Sequence, residues 1–362
     1  MIKLIKPYID FDDVKDEFQE IFESGWFTKG KYVEKFVKEI IDYTGAKNAF
    51  LTTSATTALT MALKIINIKA GDEVIVSDFS FPATSNVVED LGAIPIFAEV
   101  SLDTFNMLPS DLENKINSKT KAVIFVDALG NPKGIHEIKR ICIEKKIPLI
   151  EDGACALGSS EYGEKCGNIA DITCFSFHPR KLLCTGEGGA ITTNCDEYAE
   201  KLTVKLNHGA TVHDGKFDFV DIGYNYRLPE LQSVMGIKQL AKLDTVIISR
   251  NKIRNEYNEG LEGLGFSAQD ISGDVLHNVQ SIVFKVPAGV ERNELIDFLK
   301  MEGVETTIGT YALSSTTLNR VTYNKINPNS SFLEQQTITF PCYAGVDVNY
   351  IVEKIKDYMH VR

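Results

Sequence analysis

A lysine with apolar neighbours stands between two apolar segments of the chain. Lys181 is followed by two leucines and a cysteine within the stretch 174–189. A lysine in partly apolar surroundings loses proton affinity and can act as an amine nucleophile. Three glycines, at positions 186, 188 and 189, follow it and let backbone approach a ligand closely. They do not form a Walker loop, and a surface lysine with chance apolar neighbours explains the composition equally well.

Two further clusters stand where an apolar segment gives way to a turn. Asp152 directly follows the segment 147–151. A buried acid at the end of such a strand can pair with a cationic ring nitrogen. An aspartate that caps the next turn is the alternative. Small and hydroxylated residues at 52–57 precede a helical pattern. The unpaired N–H groups of such a helix can hold a phosphate, and an ordinary N-cap is the alternative.

Short apolar strands and helical patterns alternate around these clusters. The predicted strands are Ala49–Leu51, Glu73–Ser77, Ile94–Glu99, Ala122–Val126, Pro148–Asp152, Ile172–Ser176 and Ala190–Thr193. The predicted helices include Asp12–Glu23, Lys31–Tyr43, Thr57–Ile66, Ser80–Leu91 and Ile135–Lys145. This alternation indicates an α/β fold with a mostly parallel seven-stranded sheet covered by helices. Ligands bind such sheets at the carboxyl ends of their strands.

The pattern changes near residue 244. The predicted elements there are a polar helix at Asp244–Leu261, strands at Ser281–Val286 and Ile338–Phe340, and helices at Arg292–Met301 and Asn349–Tyr358. They predict a smaller C-terminal α+β domain. The expected division is a large domain over residues 1–243, with the N-terminal helices, and a small domain over 244–362.

Composition excludes several classes of protein. The 362 residues carry a net charge of −12, which disfavours nucleic acid and anionic membrane surfaces as partners. The seven cysteines show no CxxC pair and no metal-ligand spacing, so we expect reduced thiols, no metal and a cytoplasmic location. The first residues turn acidic too early for a signal peptide, and no apolar run approaches the ~20 residues of a membrane span.

Five segments occur together in one order: SATTAL, IPLIEDGACALGS, FSFHPRKLLCTGEGGAITTN, LNHGA and GYNYRLPELQSVMGIKQL. Together they resemble the DegT/DnrJ/EryC1/StrS family of sugar aminotransferases, which belong to the fold type I enzymes that use pyridoxal 5'-phosphate (PLP). The resemblance extends from about Asp10 through the C-terminal helix. It is most specific between Asp152 and Gly236.

The resemblance implies roles around the cofactor ring. Lys181 would be the Schiff-base lysine and the group that moves a proton. Asp152 would pair with the ring nitrogen. Phe81 would stack on the ring, with a core phenylalanine on an amphipathic helix as the alternative. Cys155 stands where the family usually has Gln or His to bind the ring hydroxyl, and a thiol is a weaker partner.

The resemblance also implies contacts with the cofactor phosphate. Thr56, Thr57 and Ser176 match phosphate-binding positions. Asn225, in GYNYR, matches a position that reaches the cofactor of the other subunit. A homodimer with shared active sites is therefore implied.

Substrate contacts are implied for five residues: Trp26, His178, Arg180, Glu187 and Tyr311. Packing of the indole against the core is the alternative for Trp26, and a structural histidine is the alternative for His178. After Tyr311 this chain reads TYALSS where related chains often read TYALH, so Ser314 takes the place of a histidine. We expect this change to affect which sugar binds.

The implied function is transfer of an amino group from an amino acid, L-glutamate, to a nucleotide-linked keto-sugar. The keto group would be at C3 or C4 of a 6-deoxyhexose. A PLP-dependent dehydratase is the first alternative, although that branch of the family replaces the lysine with histidine. A non-catalytic regulator with the same fold is the second alternative.

Overall fold

A computed structural model describes residues 1–323 and 325–360. Its strands, in chain order within these ranges, are β1 Asn48–Thr52, β2 Glu73–Ser77, β3 Phe79–Ser80, β4 Ile94–Ala98, β5 Thr120–Val126, β6 Leu149–Asp152, β7 Ser160–Glu161, β8 Glu164–Lys165, β9 Ile172–Ser176, β10 Gly189–Thr193, β11 Ala210–His213, β12 Lys216–Phe219, β13 Ser267–Ala268, β14 Val275–Leu276, β15 Ile282–Lys285, β16 Thr307–Ile308, β17 Tyr311–Ala312 and β18 Thr337–Phe340.

Helices connect and cover these strands. In the same ranges they are α1 Phe11–Ser24, α2 Lys31–Thr44, α3 Ala55–Ile65, α4 Ala83–Glu89, α5 Pro109–Lys115, α6 Ile135–Lys145, α7 Asp196–Lys205, α8 Glu230–Leu240, α9 Leu243–Gly260, α10 Arg292–Met301, α11 Thr317–Tyr323, α12 Pro328–Gln336 and α13 Val348–His360. Short 3-10 turns occupy Ala128–Gly130 and Leu313–Ser315. No helix of the described chain has the length and apolar character that a membrane crossing requires.

The seven predicted strands form one sheet in the order β1-β10-β9-β6-β5-β2-β4. Neighbours from β9 to β4 are parallel, while β10 runs antiparallel to both β9 and β1. The predicted α/β fold with a mostly parallel seven-stranded sheet is confirmed. Because parallel strands end at the same edge, Ser77, Val126, Asp152 and Ser176 mark one edge of the sheet.

Both faces of the sheet are buried. Val74 and Val76 of β2 pack in the same cluster as Leu59 of α3, whereas Ile75 between them packs with Ile138 of α6. Alternate side chains of a strand point to opposite faces, so this separation means that helices cover the sheet on both sides.

A second, antiparallel sheet has the order β13-β15-β18-β16. It forms a separate apolar cluster with α10 and α13. Helix α9 is shared, since Leu243 packs in the cluster of the N-terminal helices and Tyr257 packs in the C-terminal cluster. Ile2 also bridges to Val304. The domain division after residue 243 stays a prediction.

The fourth predicted helix begins later than expected. Phe79 and Ser80 form β3, which pairs with β17, and α4 begins at Ala83. Pro82 follows Phe81, and a residue before proline is disfavoured in helical geometry. Phe81 therefore lies in the connection between β3 and α4.

Candidate active site

A cavity of about 560 Å³ opens at the carboxyl edge of the large sheet. Its walls also include residues of the C-terminal region, such as Tyr311 and Gln280. Ten of the thirteen predicted site residues line it: Thr56, Phe81, Asp152, Cys155, Ser176, His178, Arg180, Lys181, Glu187 and Tyr311. Thr57, Asn225 and Trp26 do not.

Asp152 is the last residue of β6 and is buried. Its Oδ2 accepts a hydrogen bond of 2.7 Å from Thr84 Oγ1, and its Oδ1 accepts one of 3.3 Å from the N–H of Ala154. Burial raises the pKa of the Asp152 carboxyl, whereas these donors and the charge of Lys181 act in the opposite direction. A cation in the cavity would favour the ionised carboxylate further.

Lys181 lies in the connection between the antiparallel strands β9 and β10. Its Nζ donates to Cys155 Sγ at 3.0 Å. The next residue, Leu182, is buried, and its N–H donates to Gln280 Oε1 at 3.0 Å. Lys181 itself is half-buried. The Gln280 side chain of the C-terminal region fixes the backbone directly after it. This arrangement presents the amine to the cavity beside the thiol.

The N-terminus of α3 forms another part of the cavity wall. Ser54 caps this helix by accepting the N–H of Thr57 at 3.1 Å, and Thr57 Oγ1 donates back to the carbonyl of Ser54. A Cβ on Gly189 would lie 2.6 Å from the carbonyl carbon of Ser54, so only glycine allows this approach. The structure therefore places Thr56 at the cavity and engages the Thr57 hydroxyl in capping.

Two exposed aromatic rings border the cavity. Phe81 is 65% exposed and Tyr311 is 40% exposed. Their ring centroids lie 6.3 Å apart in an edge-to-face arrangement. The alternative of a core phenylalanine at position 81 is wrong, because the ring is not packed into the core. Stacking of this ring on a cofactor stays a prediction.

Trp26 and Asn225 lie outside the residues that line the cavity, whereas His178 lines it. Trp26 is 63% exposed, so the indole is not packed into the core. Asn225 is exposed in the segment between β12 and α8. His178 accepts the N–H of Arg180 through Nδ1 at 3.2 Å while still lining the cavity. Roles for these residues stay predictions.

The loop that carries Trp26 leads into the N-terminus of α2, which a glutamate side chain from α8 caps. The carboxylate of Glu230, buried at the start of α8, accepts the N–H groups of Gly30, Tyr32 and Val33 at 2.9–3.1 Å. These groups lie at the N-terminus of α2, where an anion compensates the unpaired donors and the helix dipole.

Among the cavity residues that sequence reasoning missed are Thr84, Asp127, Arg250 and Gln280. Asp127 follows β5 as Asp152 ends β6, so the same strand-end pattern could have identified it. Thr84 lies three residues after Phe81 at the start of α4. Arg250 and Gln280 belong to elements far away in the chain and carry no local signal.

Asp127 and Glu151 are adjacent buried acids on neighbouring strands. Both oxygens of Asp127 and Oε1 of Glu151 are buried without a hydrogen-bond donor. Glu151 Oε2 accepts from Thr173 Oγ1 at 2.5 Å. Burial, and then the charge of Glu151, raise the pKa of Asp127 well above its ordinary range. A proton shared by the two carboxyls would give both a partner.

The residues of this cavity fit pyridoxal phosphate. A buried carboxylate supported by neutral donors suits a protonated ring nitrogen. An amine can reach a carbonyl carbon, an exposed aromatic ring can cover an apolar face, and a helix N-terminus with hydroxyls suits a phosphate. When bound, PLP supplies an electron sink for carbanion chemistry. Asp152, Lys181, Phe81 and Thr56 are the residues that would hold it.

Comparison with known proteins supports this assignment. The family model for the DegT/DnrJ/EryC1/StrS aminotransferase family matches residues 9–356. GDP-perosamine synthase from Vibrio cholerae is 31% identical over 99% of this chain and 100% of its own length. UDP-2-acetamido-2-deoxy-3-oxo-D-glucuronate aminotransferase from Pseudomonas aeruginosa is 31% identical over 82% of this chain and 81% of its own.

Solved structures give the same result. Helicobacter pylori PseC, an aminotransferase involved in the biosynthesis of pseudoaminic acid, is 25% identical with a TM-score of 0.94, covering 99% of both chains. Spr1654 from Streptococcus pneumoniae in its PLP form is 26% identical with a TM-score of 0.91, covering 98% of this chain and 97% of its own. The predicted cofactor and enzyme class are confirmed, and the chain belongs to the DegT/DnrJ/EryC1/StrS aminotransferase family.

Proposed function

We propose that this protein transfers an amino group from L-glutamate to a nucleotide-linked keto-sugar. The keto group is at C3 or C4 of a 6-deoxyhexose. The observation that carries the proposal is the convergence of Lys181 and the buried Asp152 on one cavity. The relatives named as synthases or aminotransferases of GDP- and UDP-linked sugars support the substrate class.

Asp152 and Lys181 have different roles in the proposed reaction. Asp152 would hold positive charge at the ring nitrogen of the cofactor, and Thr84 orients its carboxylate. Lys181 presents its amine to the cavity beside Cys155, so it would be the group that removes and returns the proton that transamination moves.

A homodimer with shared active sites is part of the proposal. The hairpin β11–β12 and the residues after it expose a group of apolar side chains: Val212, Phe217, Phe219, Val220 and Ile222. Clustered exposed apolar residues are typical of protein interfaces. Asn225 follows this group in the chain and is itself exposed, as a residue that reaches a partner's site must be.

The proposal includes a cytoplasmic enzyme with a large domain over residues 1–243 and a small domain over 244–362. All seven cysteines are free thiols, as a reducing compartment favours. The separate apolar cluster of the C-terminal region, whose buried members begin at Ile253, supports a small C-terminal domain.

Absorbance and product mass test the function. Purified protein with PLP should show a visible absorbance band that Lys181→Ala abolishes and the surface variant Lys201→Ala retains. Glutamate should then bleach the band and release 2-oxoglutarate. Incubation with UDP-, dTDP- and GDP-linked keto-sugars should yield an amino sugar by mass spectrometry.

The alternatives give different results. Consumption of the keto-sugar without an amino product would support a dehydratase. A parent protein that forms the band but turns over no donor with any sugar would support the non-catalytic regulator. Absence of the band in the parent would refute the cofactor assignment for this chain.

A further inference from the structure

Asp78 joins the large sheet to a distant segment of the chain. It follows β2, is fully buried, and accepts two hydrogen bonds of 2.6 Å from Ser314, one from the N–H and one from Oγ. Ser330 Oγ donates to the same carboxylate. The carbonyl of Asp78 also accepts the N–H of Leu313 at 2.7 Å. Main chain and side chain of one residue thus hold Leu313, Ser314 and Ser330.

The joined segments lead directly to the cavity wall. Immediately after Asp78, β3 pairs with β17 so that Ser80 lies opposite Tyr311. Phe81 directly follows β3. Residues 307–311, which lead into β17, line the cavity as well. The contacts of Asp78 therefore determine where the two exposed rings, Phe81 and Tyr311, stand relative to each other.

Ser314 stands where related chains often have a histidine, and the sequence predicts that this change affects which sugar binds. The structure shows a side chain that is 1% exposed and lies outside the residues lining the cavity. Its effect on substrate must pass through Asp78 and the segment that both residues hold.

We propose that the Asp78–Ser314 pair is a positioning device that sets the wall at residues 307–311 for the sugar half of the reaction. The inference rests on the proposed function. An amino acid needs only the part of the cavity next to Lys181 and Asp152. A nucleotide-linked sugar is larger and extends to the wall formed by residues 307–311. The pair thereby contributes to sugar recognition without touching the sugar.

The hydrogen bonds that support Asp152 do not pass through this pair. Thr84 Oγ1, which donates to Asp152, also bonds to Ser80 Oγ at 2.8 Å. Neither bond involves Ser314. Removing the Ser314 hydroxyl therefore leaves these contacts in place, and the two halves of the reaction can be measured separately.

The test compares Ser314→Ala with its neighbour Ser315→Ala, whose Oγ instead donates to Glu334 at 2.8 Å and to the carbonyl of Ala312. Ser314→Ala loses the hydrogen bond that Oγ donates to Asp78 and the one that Oγ accepts from the N–H of Asn327 at 3.2 Å. This loss should raise its KM for the keto-sugar about tenfold. The rate of the glutamate half-reaction should be unchanged. Ser314→Thr keeps a hydroxyl and should restore the KM, and Ser315→Ala should match the parent.

Hydrogen exchange of the peptide covering 307–314 gives a readout without activity. Exchange should be faster in Ser314→Ala than in the parent and in Ser315→Ala. Unchanged exchange and KM would overturn the proposal, and so would equal losses in both half-reactions. A parent without transamination would refute the proposed function, while the exchange comparison would still decide whether Ser314 holds this wall.

Discussion

Replacing Asp127 with asparagine is expected to stabilise the folded protein at neutral pH. In the parent, both oxygens of Asp127 and Oε1 of Glu151 are buried, and only a proton held between the two carboxyls could give them a donor. An asparagine has nearly the same volume and offers an N–H group to Glu151. Because a buried polar group without a partner costs about 1–3 kcal/mol, we expect a gain in unfolding free energy of about that size.

The gain should depend on pH with a definite sign. Burial raises the pKa of Asp127 above its ordinary value of 3.8, so the folded state holds this proton more tightly than the unfolded state does. The parent therefore loses stability as pH rises above that value, by up to about 1.4 kcal/mol per pH unit, until the folded-state pKa is passed. The substituted asparagine does not titrate, so the advantage of Asp127→Asn should grow with pH.

Urea unfolding of the cofactor-free protein at pH 5 and pH 8 measures this difference. Asp78→Asn is the matched control, and its effect on the free energy of unfolding should have the opposite sign. The carboxylate of Asp78 accepts three hydrogen bonds, so replacing it should destabilise the folded protein. The reasoning is refuted if Asp127→Asn is less stable than the parent at pH 8, or if its advantage is the same at both pH values.

A metal ion bound at Asp127 and Glu151 would also refute this explanation of the two buried acids. Ligand atoms of Asp127, Glu151 and Cys166 lie within 4.8 Å of one another. Stoichiometric metal in the purified parent, lost together with stability in Asp127→Asn, would show that a cation rather than a proton joins the two acids.

Three further outcomes are expected. Glu230→Ala removes the acceptor of three N–H groups at the start of α2 and should lower the unfolding free energy by about 2–3 kcal/mol, and an unchanged urea midpoint would contradict this. Thr84→Val removes a hydrogen bond to Asp152 and should weaken PLP binding about tenfold in an absorbance titration, while Thr84→Ser keeps it. Mixing Lys181→Ala with Asn225→Ala should recover activity through hybrid dimers, and failure despite confirmed subunit exchange would argue against shared sites.

The large sheet could be predicted because its strands carry their own signal. Each is a short apolar run bounded by turn residues, and Glu73–Ser77 and Ile172–Ser176 have the predicted bounds. Parallel pairing then brings their carboxyl ends together. The location of Asp152 and Lys181 at one cavity follows from that rule and from the family motifs.

Other features depend on contacts that leave no local pattern. The pairing of β3 with β17 involves two residues on each strand, too few for any periodicity, and it displaced the start of α4. Ser314 is a small polar residue whose burial depends on Asp78 far away in the chain. The hairpin β11–β12 exposes successive side chains along β12, so that strand lacks the alternation that identifies a half-buried strand.

The contact between Asp78 and Ser314 also orders events during synthesis. The two residues are 236 positions apart, so a ribosome adding 5–20 residues per second needs roughly 10–50 s to pass from one to the other. Lys181 and Asp152 leave the ribosome well before residues 307–314 exist. A nascent chain can thus carry its reactive amine for seconds before the cavity wall at residues 307–311 has been synthesised.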